Sequence, residues 1–350
     1  MTRHFAIALA ASLLAGEAQA YEPRAPEVWE RGAAWRASLS QETETQSAEL
    51  RQLLRSGDSK ASLALLQALD RDPEVPAPAR ERLLLDYVNE LRQEPPRVVS
   101  DAVMQYLASY PSAVLVAHED HPRIRVPLFN ISTATAGVDN TWTRQESALR
   151  GARLLAVDAA GLVEAFAASS RLPEQRGLLD ALVTAGPDQR RAVAATAMQQ
   201  LELRPGLAEL AGEAALLNGD SDTVAHLLAA APGEALNRLL SRSAETFDSE
   251  RNARLLNAAL DSGSDEIAAL AIAQLAPVLT GHAPSVDRLF GLLGHPQTGS
   301  AAALALAGNT DPEVLTRLEA IARAQPGSLA AARALLALEL MEAKLLRDVQ

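Results

Sequence analysis

The strongest constraint on the fold is an internal repeat in the C-terminal half of the chain. Arg-Leu pairs recur at offsets of 34 and 29 residues, at Arg254-Leu255, Arg288-Leu289 and Arg317-Leu318. Alanine-rich segments follow with the same two offsets, at 268–271, 302–305 and 331–334. An earlier unit at 178–181 matches 255–258 at an offset of 77. Because one such unit cannot bury its apolar face alone, the register predicts stacked units with a shared core.

Each unit has the pattern of a leucine-rich helix, a turn and an alanine-rich helix. Alanine and leucine are strong helix formers, and the aromatic content of 3% argues against a β-sandwich or barrel. The turns combine a helix stop with a cap and first-turn acids, as in Gly263-Ser264-Asp265-Glu266. We therefore expect an all-α fold, with an α-solenoid of antiparallel helix pairs over residues 141–350.

In these residues the chain resembles HEAT-type helical repeats. The resemblance rests on helix pairs at 250–279, 284–307 and 312–341 and on the helix start at Asp311-Pro312. The stretches 53–69 and 216–235 look more like tetratricopeptide turns. Both families bind other proteins on a curved surface, usually without catalysis. The resemblance thus implies a protein or peptide partner, and it carries over no cofactor and no active-site residue.

Residues 21–111 are expected to be a second helical region. Pro26 to Arg55 has a helical pattern that breaks near Ser40, and prolines separate the helical stretches that follow. Within 80–93 and 98–110, apolar residues recur on one stripe, at the spacing of an amphipathic helix.

Residues 112–140 are expected to form the one non-helical insert. Val114 and Val116, and then Ile124, Val126 and Leu128, occupy alternate positions. Such alternation is typical of strands with one buried face, which here form a hairpin. The polar segment 130–140 that follows has the composition of a loop.

A possible metal site lies within this insert, at His118-Glu119-Asp120-His121. Imidazoles and carboxylates suit zinc or a similar ion. On a strand, however, His118 and His121 point to opposite faces, so only a turn brings them together. The alternative interpretation is a polar hairpin turn with solvated charges.

Three further residues are candidates for contact with a partner. Arg123 and Arg125 form a cationic strip that suits carboxylate recognition, or they protect an edge strand from pairing. Trp142 either anchors an interface or fills the core, and the same two interpretations apply to Trp29 and Trp35.

Net charge and cysteine content exclude several classes of function. A net charge of −12 disfavours nucleic acid and anionic membrane surfaces as partners. The absence of cysteine excludes disulfides, thiol nucleophiles and cysteine-ligated zinc. Neither a nucleophile elbow, nor a phosphate loop, nor a dinucleotide fingerprint is present, so the sequence does not favour an enzyme.

The N-terminus has the pattern of a bacterial secretory signal peptide. A short basic start that includes Arg3 precedes an apolar run over 5–15, and Ala18 and Ala20 fit a signal peptidase site. We expect residues 1–20 to be removed before Tyr21, and the protein to be periplasmic or secreted. After cleavage no transmembrane segment is expected, since a spanning helix needs about 20 apolar residues.

Together these features predict a non-catalytic periplasmic scaffold that presents a helical-repeat surface to another protein. Two alternatives remain open. One is a metal-dependent protein or enzyme centred on residues 112–142, and the other is a structural envelope component that assembles with itself.

Overall fold

A computed structural model of the chain describes residues 25–39, 44–228, 230, 233–324 and 326–348. The expected signal peptide and Ser40 lie outside these ranges. The described residues form eighteen α-helices, one short 3-10 helix and one three-stranded sheet. The expectation of an all-α fold with one small β insert is confirmed. In the ranges that the structure describes, no helix is both long and apolar enough to cross a membrane.

The chain divides into two compact units between Trp142 and Thr143. The elements of the first unit are β1 (Glu27–Val28), α1 (Arg31–Ala37), α2 (Glu44–Ser56), α3 (Ser59–Arg71), α4 (Ala77–Leu91), α5 (Asp101–Ala108), β2 (Val114–Ala117) and β3 (Arg125–Pro127). Helix α6 (Ile131–Leu155) begins in this unit and ends in the second.

The sheet of the first unit has the order β1-β2-β3. Strands β2 and β3 are antiparallel, with Val116 opposite Val126, so the expected hairpin is confirmed. Strand β1 pairs with β2 in parallel, and the expectation of helix at 27–28 is therefore wrong. Because a two-residue strand exists only through its partner, nothing in the local pattern indicates it.

The expected loop over 130–140 is also wrong, because α6 begins at Ile131. The Asn130 side-chain oxygen accepts the N–H of Thr133 at 3.1 Å, which caps the helix. Ile131, Val138 and Trp142 are buried on one side of this helix, at helical spacing. The polar residues of the segment lie between these three positions and give it the composition of a loop.

The core of the first unit confirms the apolar stripes expected in 80–93 and 98–110. In α4 the buried residues of that stripe are Leu83, Leu84, Tyr87, Val88 and Leu91. In the second stripe Val99, Val103, Leu107 and Tyr110 are buried. A smaller apolar cluster around Ala34, Val114 and Val116 joins α1 to the sheet.

The second unit consists of short helices in sequence. They are α7 (Ala159–Ala168), α8 (Leu172–Thr184), α9 (Pro187–Gln199), α10 (Leu207–Asn218), α11 (Ser221–Leu228), α12 (Gly233–Thr246), α13 (Ser249–Asp261), α14 (Asp265–Leu275), α15 (Ala283–Leu292), α16 (Gly299–Ala307), α17 (Pro312–Ala324) and α18 (Leu329–Asp348). The 3-10 helix Ala276–Val278 follows α14.

The principal contacts in this unit join helices that are one to three places apart in sequence. Helices α13 and α14, α15 and α16, and α17 and α18 pack as pairs, as the repeat register predicts. The even-numbered helices from α8 to α18 also pack each against the next. One apolar cluster, rich in leucine and alanine, runs through the unit from Leu155 to Ala337.

Candidate functional site

A groove of about 310 Å³ is formed by four helices of the second unit, α6, α8, α10 and α12. We call it the arginine groove. Its lining residues are Arg144, Arg176, Leu179, Asp180, Val183, Glu209, Glu213, Leu216, Ala235, Arg238, Leu239 and Arg242. Helices α8, α10 and α12 each contribute a stripe, that is, a row of side chains on one helix face. Residues three, four and seven apart in sequence share such a face. The groove volume lies at the lower end of the range for ligand sites.

Two glycines bring α8 close to α6 beside this groove. A Cβ atom at Gly177 would lie 2.2 Å from the backbone oxygen of Arg144 and 2.6 Å from Cβ of Ser147. At Gly151 it would lie 2.7 Å from Cβ of Ala181. The helices pack backbone against backbone here, so the absence of side chains at these positions fixes the distance between Arg144 and the stripe on α8.

Three ion pairs cross the groove from one helix to the next. Arg144 donates to both carboxylate oxygens of Asp180, at 2.5 and 2.7 Å. Arg238 donates to Glu209 at 3.0 Å, and Arg242 donates to Glu213 at 2.7 Å. These contacts hold three of the four arginine side chains in fixed positions, since a guanidinium bound to a carboxylate keeps a defined orientation.

Glu213 is the most buried carboxylate of the groove, with 12% of its side chain exposed. Burial raises its pKa above the ordinary value, although the charge and hydrogen bond of Arg242 act in the opposite direction. The position of Glu213 on the groove wall therefore depends on Arg242, since an unpaired buried carboxylate is costly.

Arg176 differs from the other three arginines. It is exposed, and it makes no ion pair or side-chain hydrogen bond with any residue that the structure describes. On the same stripe, one and two turns along α8, lie Leu179 and Val183, and Val183 has 59% of its surface exposed. The groove thus presents one uncompensated guanidinium beside an exposed apolar strip.

The two histidines of the expected metal site do come together. Their rings are stacked, with centroids 5.4 Å apart, because the chain turns between β2 and β3. The backbone N–H of Asp120 donates to Nδ1 of His118, and Glu119 pairs with Arg31. Across the ranges described, no three histidine, aspartate or glutamate side chains are grouped so as to hold a metal ion. Within the part of the chain that the structure describes, the turn therefore brings two imidazoles together and groups no third histidine, aspartate or glutamate with them.

Arg123 and Arg125 are both exposed, and the Arg125 side chain donates to the backbone oxygen of Pro122 at 2.7 Å. Trp142 is 2% exposed, and its indole N–H donates to the backbone oxygen of Glu94. The Trp142 side chain belongs to the core of the first unit, which agrees with the second of its two interpretations.

The first unit has a small cavity of about 230 Å³, lined by Asp70, Tyr106 and Tyr110 among others. The Tyr110 hydroxyl donates to Asp70 at 2.9 Å. Close to these residues Glu81 is fully buried, and its carboxylate accepts the N–H groups of Ala113 and Val114 at the start of β2. Burial raises the pKa of Glu81 to about 7, although these two N–H groups act in the opposite direction.

The sequence analysis missed the residues of the arginine groove. A signal was present, because Glu209 and Arg238, and likewise Glu213 and Arg242, lie 29 residues apart. This spacing equals one of the two repeat offsets. Opposite charges at the repeat offset indicate side chains that face each other from neighbouring units.

Comparison with known proteins gives no further guide to this site. No protein-family model matches the chain, and neither a curated protein nor a solved structure is significantly similar to it.

Proposed function

We propose that this protein is an exported, non-catalytic interaction protein that binds a segment of a partner protein in the arginine groove. The observation that carries the proposal is the groove itself, to which four helices contribute side chains at helical spacing. It combines apolar side chains with fixed polar groups, as specific binding sites do.

The proposal includes an α-solenoid of HEAT-like helix pairs. Principal contacts between helices that are near neighbours in sequence, and one apolar cluster from Leu155 to Ala337, support it. In such an array each unit adds a stripe to a common surface, and the arginine groove consists of such stripes.

Site-specific photo-crosslinking in the native cell tests the binding role. A photoreactive phenylalanine analogue replaces Val183 in the groove, and a matched variant carries it at Val157, which is 82% exposed and does not line the groove. We expect one discrete adduct with another protein from position 183 and none from position 157. Equal adducts from both positions would refute the groove as the binding surface. An adduct with a second copy of the chain would favour self-assembly instead.

Export is tested separately by fractionation and N-terminal sequencing. We expect the protein in the periplasmic or secreted fraction, with Tyr21 as its first residue. A cytoplasmic chain that retains Met1 would contradict this part of the proposal without affecting the groove.

A further inference from the structure

We infer that the segment bound in the arginine groove is extended and acidic, with a carboxylate on Arg176 and an apolar side chain on Val183. This inference rests on the proposed function, and it specifies the chemistry of the partner.

The charge of the ligand follows from the pairing of the groove side chains. Arg144, Arg238 and Arg242 each donate to a carboxylate of the groove, so these three pairs carry little net charge. Arg176 remains uncompensated among the described residues. A guanidinium has five N–H donors in a planar fork, and a carboxylate accepts two of them in parallel. An aspartate or glutamate is therefore the complementary group.

The overall charge of −12 does not oppose this choice of ligand. Salt screens exposed charges beyond about 8 Å at physiological ionic strength. A carboxylate that enters the groove therefore responds mainly to Arg176 and to the neutralised pairs around it.

The position of the apolar side chain follows from the geometry of α8. Arg176 and Val183 are seven residues apart on one helix face, which corresponds to about 10 Å. An extended peptide in the polyproline II conformation advances about 3.1 Å per residue with about three residues per turn, so side chains three positions apart lie on one side and span about 9 Å. The expected motif is an acidic residue and an apolar residue separated by two others.

An extended segment fits this groove better than a helix does. A helix advances about 1.5 Å per residue and needs about eight residues to reach from Arg176 to Val183, whereas an extended segment needs about four. A segment in the polyproline II conformation places every third side chain into the groove and leaves the rest in solvent.

Peptide selection tests the inference. A phage-displayed library of random twelve-residue peptides is selected on the purified mature protein, on Arg176→Glu and on Arg254→Glu. Arg254 is a matched control, because it is an exposed arginine in the same unit and does not line the groove. Circular dichroism confirms that each variant is folded, and Arg176→Gln replaces Arg176→Glu if the charge reversal impairs folding.

We expect the wild type and Arg254→Glu to enrich peptides with the acidic-x-x-apolar motif, and Arg176→Glu to lose that preference. Enrichment by the wild type without an acidic preference, or the same motif on Arg176→Glu, overturns the inference and leaves the proposed function standing. Failure of the wild type to enrich any peptide overturns both.

Fluorescence anisotropy then measures the selected peptide against its amide isostere, with Asp→Asn or Glu→Gln at the motif position. We expect the isostere to bind the wild type at least about tenfold more weakly, since a hydrogen bond to a charged group is worth this much. The two peptides should bind Arg176→Gln with similar affinity. Equal affinity of both peptides for the wild type would contradict the role of Arg176.

Discussion

The two units of this molecule place their charged groups differently. Among the described residues, the charged side chains that are buried are Asp70, Arg80 and Glu81, and all three lie in the first unit. In the second unit the charges lie on the surface or along the groove, and they pair across helices, as Arg288 does with Asp261. The interior of that unit consists mainly of leucine and alanine.

Tryptophan and tyrosine follow the same division. Every tryptophan and tyrosine of the chain from Trp29 onward lies before residue 143. The first unit therefore combines an apolar core with buried charged groups, whereas the interior of the second consists mainly of leucine and alanine. Tryptophan fluorescence reports on the first unit alone, and far-UV circular dichroism reports on both, so the two can be followed separately in one sample.

The largest effect is expected where the second unit depends on close helix packing. We expect Gly177→Ala to lower its free energy of unfolding by about 3 kcal/mol, because the new Cβ would overlap backbone atoms of α6. Gly291→Ala is the matched control, since its Cβ meets nothing within 4 Å. That variant should gain about 0.5 to 1 kcal/mol from helix propensity. Urea unfolding followed by circular dichroism measures both, and an equal effect of the two substitutions would contradict the close contact.

The next effect belongs to the first unit and depends on pH. Because the pKa of Glu81 is raised to about 7 in the folded state, this group stabilises the fold below its unfolded pKa, and the contribution is lost as the pH rises through 7. Between pH 5 and pH 8 we expect the wild type to lose about 2.5 kcal/mol more than Glu81→Gln does. Tryptophan fluorescence during urea unfolding measures this difference. Glu213→Gln, in the other unit, is the control. It should leave the pH dependence of the unfolding free energy measured by fluorescence the same as in the wild type.

How far the sequence predicts the fold depends on how local the signal is. The helix pairs of the second unit and the hairpin were predictable, because their apolar residues recur with periods that a short window reveals. Strand β1 was not, since its two residues pair with Val114 and Leu115, far along the chain. The start of α6 was missed because three buried residues are spaced among polar ones.

The candidate site was harder to predict, because it is assembled from stripes on separate helices. The histidine pair and the hairpin arginines stood out, since they are adjacent in sequence. Arg176 and Glu213 lie 37 positions apart, and each resembles any surface charge of an amphipathic helix. Only the order in which the helices pack brings them to one groove.

A smaller effect should distinguish the two ion pairs between α10 and α12. We expect Arg242→Gln to cost about 1 to 2 kcal/mol, because it leaves the mostly buried Glu213 without a partner. Arg238→Gln should cost about 0.5 kcal/mol, since Glu209 has 25% of its side chain exposed. Low pH should reduce the stability lost by Arg242→Gln, because a protonated Glu213 side chain needs no cation beside it. A cost for Arg242→Gln that persists unchanged at pH 4 would indicate lost packing rather than lost pairing.

The smallest expected effect separates two kinds of surface arginine in the second unit, one that stacks on an aromatic ring and one that makes only an ion pair. Arg317 pairs with Asp287 and also stacks over the ring of Phe290, with its guanidinium carbon 4.1 Å from the ring centroid. We expect Arg317→Lys to cost about 0.5 to 1 kcal/mol, because lysine keeps the charge and loses the planar contact with the ring. Arg288→Lys is the matched control, since Arg288 pairs with Asp261 and lies over no aromatic ring of the described residues, and it should cost less than about 0.5 kcal/mol. Both are read from urea unfolding by circular dichroism in low and high salt. Added salt should shrink the ion-pair part of each cost and leave the stacking part of Arg317, so equal costs in high salt would show that the ring contributes nothing.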